Sequence, residues 1–178
     1  MSDDFGSFEG DVVTKWLKDK DQPDRMMKLD ADFAYVDPSG KRWEAAKGRE
    51  VNGASIPPFL WNIVGPPYVG DYRRATVLHD VACDDQGEPH AQVHRMFYNA
   101  MRCDGVERFK AALMYLAVAR FGPTWETGKT ETFSPARDMT SIDLYALEFA
   151  IGLAISILPE DAGLDELDKR ITEILQLK

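Results

Sequence analysis

Cysteine and histidine are both scarce in this 178-residue sequence, which holds two of the former, Cys83 and Cys103, and three of the latter. Two cysteines are too few for a disulfide framework, so reduced thiols are the expectation, with a single bridge left open by sequence. Clusters of positive charge are missing as well: 21 basic against 30 acidic residues give a net charge of −9. That balance argues against an electrostatic grip on nucleic acid or anionic lipid. No long apolar run occurs either; the longest, Phe149 to Leu158, is broken by Gly152 and Ser156 and is too short to span a bilayer. The start, MSDDFGSFEGD, has neither the basic nor the apolar region of a signal peptide. A cytoplasmic protein without a transmembrane segment is expected. Internal repeats and low-complexity stretches are absent too.

What is present is enough for a core: 44% hydrophobic and 11% aromatic residues over a length that suits one domain with an appendage. The first 28 residues are polar and charged, although Phe5, Phe8, Val12, Val13, Trp16 and Leu17 are able to pack on a neighbour. Two short runs, Phe33 to Asp37 and Lys41 to Ala45, flank Pro38-Ser39-Gly40 and predict a β-hairpin. Gly48, Asn52-Gly53 and Pro57-Pro58 then predict a structured loop, with a short helix at 59–64. From Asp71 the apolar period becomes helical. Helices are expected from about 71 to 83, from Pro89 through Met101, and from 106 to 120, the last stopped by Gly122-Pro123. Residues 124 to 137 are polar and read as a loop. Two further helices, about 139–158 and 163–177, form a C-terminal pair, the second with a face of Leu164, Leu167, Ile171, Ile174 and Leu175. The first is too apolar for a lone surface helix, so it is expected to pack on residues 106–121 or on another copy of the chain.

All three histidines fall in the stretch "VLHDVACDDQGEPHAQVHRMF", residues 77 to 97. Residues four apart share one helical face, so His79 points with Cys83 and His90 with His94. If the two helices form an antiparallel hairpin, His79 lies across from His94 and Cys83 across from His90. Three chemistries fit that layout. His79, Asp80 and His94 can form an open site in which an imidazole, or a hydroxide on a divalent ion such as zinc or calcium, activates water. His79, Cys83, His90 and His94 can instead close around a structural zinc, with Asp80 at the edge of the centre as ligand or orienter. Or His94 is a hydrogen-bonded core histidine, His90 a first-turn surface residue and Cys83 a small buried hydrophobe. Spacing leaves all three open.

Four segments together resemble a domain-of-unknown-function family of bacteria, phages and prophages. These are "GREVNGASIPPFLW", "ATVLHD", "VHRMFYNAM" and "YLAVARFGPTW", within about residues 29 to 125. The resemblance carries no settled activity, but it singles out positions. It places the loop serine, Ser55, beside the histidines as a candidate nucleophile or oxyanion donor, although no nucleophile elbow surrounds it. The family loop usually has aspartate where this chain has Asn52, so a neutral amide replaces an acidic group at the rim of the site. The "HDVAC" helix facing "VHRMF" is also similar in layout to secreted phospholipases of the A-two type, with His94 where their orienting carboxylate stands and without their calcium loop or disulfides.

The expected fold is α+β and mainly α: a small β-hairpin, a core of antiparallel helices and a C-terminal helical pair. Residues 1–28 form an N-terminal segment, 29–125 the core domain and 126–178 the helical appendage. The leading function is a small phage- or prophage-type hydrolase centred on His79, Asp80 and His94, with Asn52 and Ser55 alongside. The rival is a non-catalytic phage or prophage protein that binds a host or virion partner. Its substrate or partner is an unidentified small molecule or protein, and self-association through the C-terminal helices is expected.

Overall fold

Asp37, Pro38, Ser39 and Gly40 reverse the chain in the way their chemistry demands. The Asp37 carboxylate accepts hydrogen bonds from the Ser39 amide at 2.9 Å, the Lys41 amide at 3.1 Å and the Trp43 indole at 3.0 Å, while Gly40 takes a positive φ of 85°. The result is the expected hairpin, β4 (Phe33–Val36) and β5 (Arg42–Ala45), with Tyr35 opposite Trp43. The structure, a computed structural model, describes residues 5–18, 26–52, 70–127, 129–135 and 140–176. The helix expected at 59–64 lies outside the described residues.

The N-terminal segment is more ordered than its polarity suggested. β1 (Ser7–Glu9) adds antiparallel to β4, and Phe8 stacks on Phe33 with ring centroids 5.6 Å apart. A Cβ at Gly6 would meet the Val36 carbonyl at 2.1 Å, so only glycine permits that approach. A second antiparallel sheet has the order β2 (Thr14–Trp16), β3 (Met27–Leu29), β6 (Glu50–Val51). Phe5, Phe8 and Val12 pack on the core as expected, whereas Val13 and Trp16 stay exposed.

Five helices follow among the described residues: α1 (Arg73–Asp85), α2 (His90–Cys103), α3 (Arg108–Phe121), α4 (Ser141–Ile157) and α5 (Leu164–Gln176). The fold class is thus α+β and mainly α, with small antiparallel sheets. Helix α1 is joined to α2 by residues 86–89, where Gln86 closes the helix in the left-handed region at φ 51°. It packs on β5 and β6 with one side and on α2 with the other, which is why eight of its residues are buried. Glu107 caps α3 by accepting from the Phe109 and Lys110 amides. Helix α4 opens with a capping box between Thr140 and Asp143, and buries Leu144, Leu147, Ala150, Ile151 and Ala154 as it packs on α3 and α5. That matches the expected contact with residues 106–121. Leu164, Leu167 and Ile171 of α5 are buried, and Ile174 and Leu175 pack at the edge of the core.

One stretch departs from the sequence expectation. Residues 124 to 137 were expected as a loop, yet β7 (Thr124–Glu126) pairs with β8 (Lys129–Ser134). Trp125 explains the difference: its indole is buried and donates to the Glu88 carbonyl at 2.8 Å, fixing the strand against the turn that precedes α2. Cys83 and Cys103 are not joined in a disulfide, and among the described residues no helix is long and apolar enough to cross a membrane.

Candidate functional site

Helices α1 and α2 each present a histidine to the other, His79 from the middle of α1 and His94 from the second turn of α2. His79 Nε2 and His94 Nδ1 lie 2.9 Å apart, and both rings are essentially inaccessible to solvent. The sequence prediction that these two side chains meet is therefore met. The third partner comes from the far end of α3: His94 Nε2 lies 3.2 Å from the Pro123 carbonyl. That carbonyl can only accept, which assigns the proton of His94 to Nε2 and leaves its Nδ1 as an acceptor. His79 must then donate from Nε2, and its own Nδ1 is the unprotonated nitrogen. The chain of bonds runs from His79 through His94 to the backbone and fixes both tautomers.

The ring environment is apolar. Phe97 lies against His79 with centroids 4.6 Å apart, and Trp125 meets His94 edge-on at 6.3 Å. Burial holds the His79 pKa well below 6.5, and a positive charge on His94 would push it further down. Burial also lowers His94, to about 4, aided by repulsion from His90 and opposed by the Pro123 hydrogen bond. Both imidazoles are neutral at pH 7.

Cys83 shares the His79 face, its Sγ 3.8 Å from each ring nitrogen of His79. His90 lies near His94, at 5.8 Å between ring centroids, but spends its Nδ1 on the Trp125 carbonyl at 2.8 Å. Asp80 is directed elsewhere: its Oδ2 accepts from the backbone amide of Asn52 at 3.1 Å, just past the end of β6. So His79, Cys83 and His94 converge, His90 flanks them through Trp125, and Asp80 joins the Asn52 side of α1. Ser55 lies outside the described residues. Among the described residues no group of three or more His, Cys, Asp or Glu side chains is placed to hold a metal ion. The imidazole nitrogens and the Cys83 sulfur are the atoms with zinc-type chemistry.

Sequence reasoning missed the part played by Pro123 and Trp125, the two backbone carbonyls that orient His94 and His90. The available signal was "FGPTW", which follows α3. A Cβ on Gly122 would lie 2.3 Å from the Val118 carbonyl, so the glycine permits the tight exit that brings Pro123 to His94. Arg74 binds Asp104, its Nε 2.7 Å from Oδ1, while Asp71 pairs with Lys110. Tyr72 and Trp125 are core residues.

A family profile described as "Protein of unknown function (DUF1353)" matches residues 27–118. Two proteins of Sinorhizobium fredii are similar. "Uncharacterized protein y4jT" is 39% identical over 121 residues, which is 68% of this chain and 35% of the relative. "Uncharacterized protein y4iH" is 45% identical over 97 residues, 54% of this chain and 41% of the relative. The chain thus spans well under half the length of these curated relatives. No solved structure matches.

Proposed function

The chain belongs to the DUF1353 family, and we propose that it is a small hydrolase of phage or prophage type in which His79 serves as base or metal ligand. The observation that carries this is the hydrogen bond from His79 Nε2 to His94 Nδ1, which leaves His79 Nδ1 unprotonated. A histidine that ligates a metal characteristically donates its other ring N–H to an orienting acceptor, and here His94 is that acceptor. The low pKa of His79 favours the ligand role, because a metal takes neutral imidazole whereas a free base works best with a pKa near the operating pH. Of the two ions considered, zinc suits an imidazole beside a thiol, while calcium requires oxygen ligands. Asp80 supplies negative charge on the same helix, and Asn52 stands at its rim. The layout is similar to that of phospholipases of the A-two type, with a histidine in place of their orienting carboxylate. That likeness bears on arrangement alone.

The complete burial of His79 favours a second reading, in which the pair is a polar core of a partner-binding protein and no substrate reaches it. Metal content and hydrolysis of generic ester, amide and phosphodiester substrates, with and without added zinc or calcium, separate the two. The variants are His79→Gln and Asn52→Asp. The hydrolase reading expects bound metal or turnover in the wild type, a loss of about 10²-fold or more in His79→Gln, and stronger metal binding in Asn52→Asp. Absence of metal and turnover from all three forms would discard it in favour of the binding protein.

A further inference from the structure

One cleft of this acidic chain is lined by three arginines. It has a volume of about 310 Å³, near the lower end of the range for small-ligand pockets, and lies where α2 meets the turn between α4 and α5. Arg95, Asn99 and Arg102 line it from α2, where spacings of four and three residues set them on one face, about 80–140° round the helix from His94. No residue of the histidine centre takes part. Arg108 comes from the first position of α3, and Phe5, Tyr98 and Leu164 supply apolar wall.

The three guanidiniums are held in different ways. Arg95 pairs with the exposed Asp165. Arg108 donates to the Pro159 carbonyl at 3.1 Å and to those of Glu160 and Ala162 at 3.0 Å, which fastens the turn after α4 but neutralises no charge. Arg102 donates one N–H to the Val106 carbonyl at 2.8 Å, rests over the Phe5 ring at 5.1 Å, and keeps a buried Nε without a hydrogen-bond partner. Among the described residues neither Arg102 nor Arg108 forms an ion pair, and the Asn99 side chain makes no hydrogen bond. Half-buried cations without an anion are costly, and this chain has 30 acidic residues from which a partner was available.

We propose that the cleft binds a small organic acid, its carboxylate held by Arg102 and Arg108 with Asn99 beside them, and its apolar body against Phe5, Tyr98 and Leu164. The N–H fork of a guanidinium matches the two oxygens of a carboxylate and stays charged at any pH at which the protein is folded. Counting charge selects a carboxylate over a phosphate. Three arginines against Glu160 and Asp161 leave the lining with one positive charge, which a monoanion balances, whereas a phosphate dianion would bring excess negative charge beside two carboxylates. This site is independent of the chemistry at His79.

Titration of the ¹⁵N-labelled full chain with benzoate and with hexanoate, followed through amide and arginine Nε–H shifts, tests it without recourse to activity. Both acids should bind with a Kd of about 1 mM or tighter. Benzamide, which keeps the ring and loses the charge, should bind about tenfold more weakly or worse. The shifts should centre on Asn99, Arg102 and the turn at 159–163. Arg102→Met should weaken benzoate about tenfold or more, Arg102→Lys should recover part of that loss, and His79→Gln should bind as the wild type does. Raising the salt should weaken binding. Arg108 is left in place because it fastens the turn, and melting temperatures show that the variants fold; should Arg102→Met fail to fold, the comparison of benzoate with benzamide decides. Saturation by neither acid up to about 20 mM, equal affinity for benzamide, full affinity in a folded Arg102→Met, or tighter binding of inorganic phosphate than of benzoate would each overturn the proposal.

Discussion

The buried histidine pair makes stability fall as the solution is acidified from pH 8 to pH 5, and His94 gives that loss a magnitude. Its pKa is lowered to about 4 by burial, then by repulsion from His90, against an ordinary value of 6.5. The unfolded chain therefore takes up a proton near pH 6.5 that the native state refuses until about pH 4. For a base with a depressed native pKa, the stabilising difference is fully present above 6.5 and is lost as pH falls. At 1.36 kcal/mol per pKa unit, His94 should account for about 2 kcal/mol of lost stability by pH 5 and about 3 kcal/mol below pH 4. His79 acts in the same direction, since it is lowered too. The perturbation is His94→Gln. Its amide nitrogen can donate to Pro123 and its oxygen can accept from His79, so the bonds survive while the titrating group is removed. Urea unfolding of both forms at pH 8 and pH 5 supplies the difference, in which carboxylates common to both cancel. The wild type should lose about 2 kcal/mol more than the variant. A gap that changes by less than about 0.5 kcal/mol would show that His94 is not held neutral by burial, and the assigned bond chain would be wrong.

Three other outcomes follow from single contacts. Leu147→Ala or Ile151→Ala, in the buried face of α4, should cost about 2–5 kcal/mol in urea unfolding, because α3 and α5 leave no room to collapse into the cavity. Gly122→Ala places a Cβ 2.3 Å from the Val118 carbonyl; it should lower the melting temperature and alter the ¹⁵N pattern of the His94 ring as Pro123 shifts away. Asp37→Asn should lower the melting temperature at pH 6. Burial opposes the charge of Asp37, but hydrogen bonds from Ser39, Trp43 and Lys41 outweigh it and keep its carboxyl below the usual range. The stability it supplies is present above pH 3.8 and disappears as pH falls through its lower native pKa, so the gap between the two proteins should close as the solution is acidified below that point.

Much of this arrangement was legible because it rests on short-range rules. Proline, serine and glycine between two β-prone runs specify the β4–β5 hairpin, and a four-residue spacing on facing helices brings His79 to His94. What escaped depends on distant partners. Ser7 to Glu9 carry no strand pattern of their own and become a strand because the open edge of β4 accepts them. The β7–β8 pair is specified by one buried indole among polar neighbours, a signal that composition averages away. The same holds for Asp80. Its place beside His79 in sequence suggested a shared centre, but adjacent helical residues diverge by about 100°, and the neighbour that claims its carboxylate is a backbone amide 28 residues earlier.

That divergence alters how the "HD" pair is understood. His79 looks toward α2 and ends, through His94, on the carbonyl that leaves α3. Asp80 looks toward β6 and ends on the amide that enters the stretch from Asn52 to Gly70. One helix thus ties the end of α3 to the end of β6, through His79 with His94 and through Asp80. A histidine that served only as packing would not need its tautomer fixed by a second ring and a third backbone group; valine or leucine would fill the volume without the desolvation cost. His79 and Asp80 together place an unprotonated nitrogen and a carboxylate at successive positions of α1. Under the proposed hydrolase reading these are the groups that a metal or a substrate would meet, and Asn52→Asp tests it.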